Sequence, residues 1–402
     1  MSQLAIEGGQ PVRSVAMPSW PYFAEDEIEA VRGVLVSGKV NYWTGQLGRQ
    51  FEHAFAEYHE VTHAVAVANG TLALELALQA LGIGAGDEVI IPARTFIATA
   101  SCVVARGATP VVVDIEPDSQ TISADAASAA ITPRTRAIIA VHLGGWPCDM
   151  NVLHALARKH GLKLIEDCAQ AIGAEYYGRK VGSFGDAAAF SFCQDKIMTT
   201  GGEGGMLLLK DEAAWKKAWA YKDHGKDLDL VFHATHPPGH RWLHTSFGSN
   251  FRMTELQAAI GLQQLHKLPA WLKQRRKHAL ILMEGLRDLP AVKIPGRPEW
   301  VVDAFYRVYA FLDRSRLKAD WNQDRIVAAL NAEGIICFHG SCSEIYREKA
   351  FEPSWPQGLR LPVAKHSGET SIAFQVHPTL AEDDMWDTVK AVHKVLQVAT
   401  IR

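Results

Sequence analysis

One lysine stands ahead of four glycines in SFCQDKIMTTGGEGG, Ser191 to Gly205. A lysine beside glycine-rich backbone can grip a phosphate, sit at a surface, or attack a carbonyl carbon as an amine. A Walker A loop, G-x-x-x-x-G-K-[ST], puts its glycines before the lysine. Here Gly201, Gly202, Gly204 and Gly205 follow Lys196, and no Ser or Thr comes directly after it, so that motif is absent. A surface lysine and a nucleophile remain open. The nucleophile reading rests on the setting. Lys196 follows the apolar run AAAFSF and precedes small residues that let a ligand approach the backbone. A lysine held in such a cleft can lose its proton and react with a carbonyl group.

Two further groups come earlier in the chain. Asn69-Gly70-Thr71 joins a strand-like run to a helix-like one, and the free N–H groups at a helix start bind anions. The same turn also reads as a plain helix cap, and it lacks the G-x-G-x-x-G dinucleotide fingerprint. Asp167 ends the run LKLIED. Ligands in parallel sheets bind beyond the carboxyl ends of the strands, although an aspartate there also caps helices. An anion cradle, a strand-end carboxylate and a lysine are what pyridoxal phosphate needs for its phosphate, ring nitrogen and aldehyde.

The elements that position these groups alternate. THAVAVA, DEVIIPA, PVVVD, RAIIAVH, LKLIED, DAAAFSF and GGMLLLK read as strands, several of them separated by helical patterns. Unbroken apolar runs of this length predict strands buried on both faces of a mostly parallel sheet, with helices on either side. The helix DMNVLHALARKHG takes Asp149 as N-cap and Gly161 as stop. RTFIATASCVVARG reads as another helix, and Asp227 to Gly248 as a loop. From about Pro295 the order changes to a small α+β domain. The expected division is 1–262 for a large domain with N-terminal packing helices, and 263–402 for a connecting helix and the small domain.

Composition narrows the function. The 402 residues carry a formal net charge of −3, which gives no basis for non-specific binding to nucleic acid or acidic membranes. KQRRKH, Lys273 to His278, reads as a solvated helix face. Six cysteines occur without any C-x-x-C pair, a reduced, cytoplasmic pattern with no disulfide framework and no metal site expected. Neither a signal peptide nor a run of about 18 apolar residues is expected from the chain.

NGTLALELAL, GDEVIIPARTFIATASCVVARGATPVVVDIE, IEDCAQAIGAEYYGRKVGSFGDAAAFSF, DKIMTTGGEGGML and NFRMTELQAAIG together resemble the DegT/DnrJ/EryC1/StrS family. These are pyridoxal-phosphate-dependent sugar aminotransferases of fold-type I. The resemblance runs from about residue 10 to the C-terminus and is densest from 60 to 260. It implies an α/β architecture: a large domain with a mostly parallel mixed sheet flanked by helices, plus a small C-terminal α+β domain. Position by position, Lys196 matches the family's Schiff-base lysine and Asp167 its pyridinium partner. Gln170 matches the contact to the ring's phenolic oxygen, and Phe96 the aromatic stacked on the ring. Gly70, Thr71 and Leu72 match the phosphate cradle, with Ser191 adding a hydroxyl. Asn250 matches a side chain given to the phosphate by the second subunit of a homodimer with shared sites. His224 and His339 fall in regions that line the family's substrate pocket, and equally read as loop and core histidines.

The resemblance implies an amino donor, L-glutamate, and a nucleotide-linked keto sugar as acceptor, with pyridoxamine phosphate formed between the two half-reactions. Such enzymes make amino sugars for surface polysaccharides or natural products. A glutamine-dependent aminotransferase of a keto-cyclitol, of the scyllo-inosose type, is the alternative. A non-catalytic, cofactor-binding regulatory protein is a third reading. Two departures fall near the substrate. Cys193-Gln194-Asp195-Lys196 stands where many members have His-Pro-x-Lys, and His339-Gly340 where many have His-Tyr. Dehydratase relatives replace the lysine with histidine, and this chain keeps it.

Overall fold

The apolar runs become strands because burial on both faces leaves no side for a polar residue. All five residues of Glu88–Pro92 and of Gly205–Leu209 are buried. The computed structural model describes residues 3–401 except residue 353. Seven strands form the large sheet, in the order His63–Val67, Gly205–Leu209, Ala187–Ser191, Lys163–Asp167, Thr135–Val141, Glu88–Pro92 and Thr109–Val113. Only Gly205–Leu209 runs antiparallel to its neighbours. The others point the same way, so Val67, Asp167 and Ser191 all end on one edge. The site is assembled at that edge.

The helices follow their caps. The helix Gly70–Ala80 starts where the Asn69 side chain accepts the Leu72 N–H at 3.0 Å. The helix Met150–His160 is capped by Asp149 and ends at left-handed Gly161, as its sequence predicts. The run after Arg94 is shorter than expected: the helix spans Ala98–Ala105, which leaves Thr95 and Phe96 to line the site, while buried Arg94 donates to Ser371 Oγ at 2.8 Å. Asp227–Gly248 is mostly irregular but opens with the short helix Leu228–Phe232.

A second, four-stranded antiparallel sheet is built from Val292–Lys293, Val308–Leu312, Ser371–Phe374 and Cys337–Phe338. It shares a core with the helix Glu382–Ala399 and the far half of Glu255–Leu286. That last helix runs 32 residues through Pro269, so residues 262 and 263 lie within one continuous element. Two crossings between the layers are absent from the sequence reading. Leu4, which falls in the expected 1–262 segment, is buried against the small sheet. Ile345, Tyr346, Phe351 and Ala364 pack into the large domain's core. KQRRKH is also not fully solvated. Arg275 and His278 are buried, because i, i+3 spacing puts them on the inner face of the long helix beside Leu272 and Ala279, with Arg275 over the Trp20 ring.

Candidate active site

A cavity of about 840 Å³ opens at the carboxyl edge of the large sheet, with Tyr306, Arg307, Phe338 and residues 340–342 of the smaller layer as its opposite wall. Lys196, Asp167, Gln170 and Ser191 line it, and so do Gly70, Thr71, Leu72 and Phe96. The structure therefore gathers eight of the expected residues around one space. Asn250 and His224 are exposed on the surface and His339 turns outward; none of the three lines this cavity. His339 pairs instead with Asp324 at 2.8 Å.

At the helix start, the Leu72 N–H is taken by the Asn69 cap. That leaves the N–H groups of Gly70 and Thr71 as the first-turn donors for an anion, with the Thr71 and Ser191 hydroxyls nearby. The fit is tight. A Cβ on Gly70 would lie 2.6 Å from the Ser191 Cβ, and one on Gly205 would lie 2.4 Å from the Asn69 carbonyl oxygen. Gly70→Ala is expected to push the helix start off the neighbouring strand and destabilise the protein by about 1–3 kcal/mol. A urea midpoint unchanged from wild type would contradict this packing.

Asp167 is buried, and burial raises its carboxyl above the usual carboxylate range. It accepts hydrogen bonds from the Ala169 N–H at 3.1 Å and the Thr99 hydroxyl at 3.2 Å, and Thr99 pairs in turn with Thr95. Gln170 is held by the Gly144 N–H, 2.7 Å from its Oε1. Phe96 is 68 % exposed although it belongs to the cavity wall, so its ring face is open to a ligand.

Lys196 differs from its sequence expectation. Burial works to lower its pKa, but Tyr306 and Asp195 outweigh burial and raise it. Asp195 Oδ1 lies 3.2 Å from Lys196 Nζ, and the Tyr306 ring centroid 5.1 Å from it. Tyr306 also donates its hydroxyl to Asp195, and despite burial Lys196 and Tyr306 hold that carboxyl below its ordinary range. The lysine is thus kept as an ammonium ion within a three-membered cluster. Its backbone carbonyl accepts the Trp20 indole N–H at 2.8 Å. Sequence reasoning missed Thr99, Tyr306 and Trp20. A polar or aromatic residue inside a helical or strand pattern gives no sign that it faces a distant site.

Glu166, one residue before Asp167, points to the opposite face of the strand. It accepts the N–H groups of Gly182, Phe184 and Gly185, each at 2.8 Å, and sits 3.1 Å from His142 Nε2. His142 Nδ1 accepts the Cys148 N–H at 2.9 Å, which makes the ring a neutral Nε2–H donor. Together with Cys168 these residues form a buried cluster of potential metal ligands. Both His142 nitrogens and both Glu166 oxygens are already used, which closes the cluster to a metal.

Residues 21–393 match the family model described as the DegT/DnrJ/EryC1/StrS aminotransferase family. The chain is 36 % identical to an L-glutamine:2-deoxy-scyllo-inosose aminotransferase of Micromonospora echinospora, covering 98 % of each chain. It is also 36 % identical to a GDP-perosamine synthase of Caulobacter vibrioides, over 88 % of this chain and 92 % of that one. Its structure is similar to that of an aminotransferase from Psychrobacter cryohalolentis, with TM-score 0.93 and 49 % identity over 95 % of this chain and 99 % of the other.

Proposed function

This chain belongs to the DegT/DnrJ/EryC1/StrS aminotransferase family, and from that premise we propose that it uses pyridoxal phosphate to move an amino group from L-glutamate to a nucleotide-linked keto sugar. The observation that carries this reading is the meeting of the Lys196 amine and the buried Asp167 carboxyl at one cavity, with free helix-start N–H groups beside them. The nucleotide-sugar acceptor is supported by the likeness to GDP-perosamine synthase.

The donor set fits a phosphorylated, planar, basic ring. A cradle without room for a Cβ at Gly70 suits a phosphate, and a buried carboxyl suits a ring nitrogen. When bound, pyridoxal phosphate supplies an aldehyde carbon that carries the amino group and a ring that withdraws electrons from the substrate carbon. In this reading Asp167 keeps a proton on the ring nitrogen, and Phe96 covers one ring face. The Gly70 and Thr71 N–H groups, with the Thr71 and Ser191 hydroxyls, bind the phosphate, while Leu72 serves through its bond to Asn69. Gln170 orients the ring's oxygen-bearing edge. Lys196 Nζ holds the cofactor, takes the proton from the donor's Cα, and returns a proton to the acceptor's carbon in the second half-reaction. Asp195 and Tyr306 fix where that nitrogen lies.

A second reading keeps the chemistry and changes the substrates: glutamine as donor and a keto-cyclitol as acceptor. The likeness along nearly the whole chain to the Micromonospora enzyme favours it. Turnover with each donor against each acceptor separates the two readings. A protein that stays colourless with added pyridoxal phosphate and converts neither pair would sink both.

We further infer a cytoplasmic homodimer. All six cysteines are free. No helix among the described residues is long and apolar enough to cross a membrane. The exposed Asn250 is fixed by a bridge to Asp223, and its neighbours Phe251 and Arg252 pair with Ala68 and Val67, beside the phosphate cradle's strand. Its backbone is therefore pinned at the surface, where a second subunit can receive the side chain. Asn250→Ala is expected to weaken cofactor binding about tenfold without dissociating the dimer. Mixing Asn250→Ala subunits with Lys196→Ala subunits should restore part of the activity. An active monomer in gel filtration would count against shared sites.

A further inference from the structure

Arg307 lines the same cavity as Lys196 and follows Tyr306 directly in the chain. Its guanidinium lies over two rings, 5.2 Å from the Tyr306 centroid and 4.5 Å from the Phe338 centroid. Those rings fix the plane of the group and use none of its N–H donors. Its Nη1 is buried without a hydrogen-bond partner. Among the described residues Arg307 forms no ion pair, whereas the wall's other cation, Lys196, is committed to Asp195. A fixed, partly desolvated guanidinium with idle donors is costly unless an anion arrives to use them.

The nature of that anion follows from position. The Tyr306 ring adjoins Lys196 Nζ, so an anion on the next residue sits at the reacting end of the cavity. The diphosphate of a nucleotide sugar is several bonds away from the keto carbon that must reach that end. An α-amino acid carries its carboxylate on the very carbon that loses a proton to Lys196. A planar guanidinium takes a carboxylate through two parallel N–H···O bonds, a match that a lysine cannot reproduce. We propose that Arg307 binds the α-carboxylate of the amino donor and thereby orients its Cα toward Lys196. This rests on the aminotransferase reading above, and it holds for glutamate and glutamine alike because both carry that group.

The test uses the cofactor-loaded enzyme with Arg307→Gln and Arg307→Lys. Both variants should keep wild-type cofactor absorbance and circular dichroism. The donor half-reaction, followed as loss of visible absorbance, should need about 10- to 100-fold more donor in Arg307→Gln. Arg307→Lys should fall between that variant and wild type. Half-saturation by the keto acceptor, measured from the aminated cofactor form, should move less than about threefold. Calorimetric binding of glutarate, which cannot react, should be present in wild type and lost in Arg307→Gln. Unchanged donor and glutarate affinities would overturn the proposal. So would a loss confined to the acceptor, which would assign Arg307 to the acceptor's phosphate. A wild type that responds to no amino acid would overturn the aminotransferase reading itself, an outcome distinct from a reactive wild type whose variants match it.

Discussion

Lys196→Ala is expected to lower transaminase turnover by at least about 10⁴-fold and to remove the visible absorbance that pyridoxal phosphate gives the wild type. Among the described residues no other amine lines the cavity, so nothing replaces Nζ as tether or base. The cluster around it adds a pH dependence. Tyr306 and Asp195 hold the amine protonated, and only the neutral amine can attack the cofactor's aldehyde. Capture of pyridoxal phosphate by cofactor-free protein should therefore speed up as pH rises through the alkaline range. Asp195→Asn removes one anion that favours the ammonium form, so the same rise should occur at lower pH. Stopped-flow absorbance measures both, and a pH-independent capture rate would contradict the cluster's role.

Asp167→Asn is expected to cost turnover about 10²- to 10⁴-fold while the protein stays folded. An amide cannot carry the negative charge that keeps the ring nitrogen protonated. The same substitution should have the opposite effect on cofactor-free stability. Burial raises the Asp167 pKa, so between its unfolded and folded values the native state binds more protons. Cofactor-free protein then loses stability as pH rises through that window, and above it carries the whole cost of the buried charge. Asparagine removes that cost and retains an acceptor for the Ala169 N–H. The cofactor-free variant should melt at or above wild type, by about a few degrees at neutral pH. Adding pyridoxal phosphate should then protect wild type more than the variant. A variant that melts below wild type without cofactor, or that keeps turnover within tenfold, would contradict the assignment.

The parallel sheet was legible because strands buried on both faces leave apolar runs that little else produces. A charge at the end of such a run stands out, as Asp167 does. What the run cannot say is which of two adjacent carboxylates faces the ligand. Glu166 lies on the other side of the pleat and spends its charge on the turn at Gly182–Gly185. The surroundings of Lys196 were half legible. Asp195 is its neighbour in sequence, whereas Tyr306 arrives from the small layer by tertiary packing alone. Hence the sequence points to a lysine able to lose its proton, while its folded surroundings raise its pKa. The basic run at Arg275 misled for a similar reason: charge count suggested water, and helical spacing put the residue inward over Trp20.

The N-terminal segment has a practical side. The buried Glu333 accepts the N–H of Ala5 at 2.8 Å and of Val12 at 2.9 Å, with Lys394 at 2.8 Å as its remaining partner. A few residues on, Trp20 reaches the backbone of Lys196. Shortening the chain ahead of Arg13 to ease expression would strip a buried acid of two donors and unseat Leu4 from a core it fills. A purification tag joined there would be tethered to the same short lever that ends at Lys196.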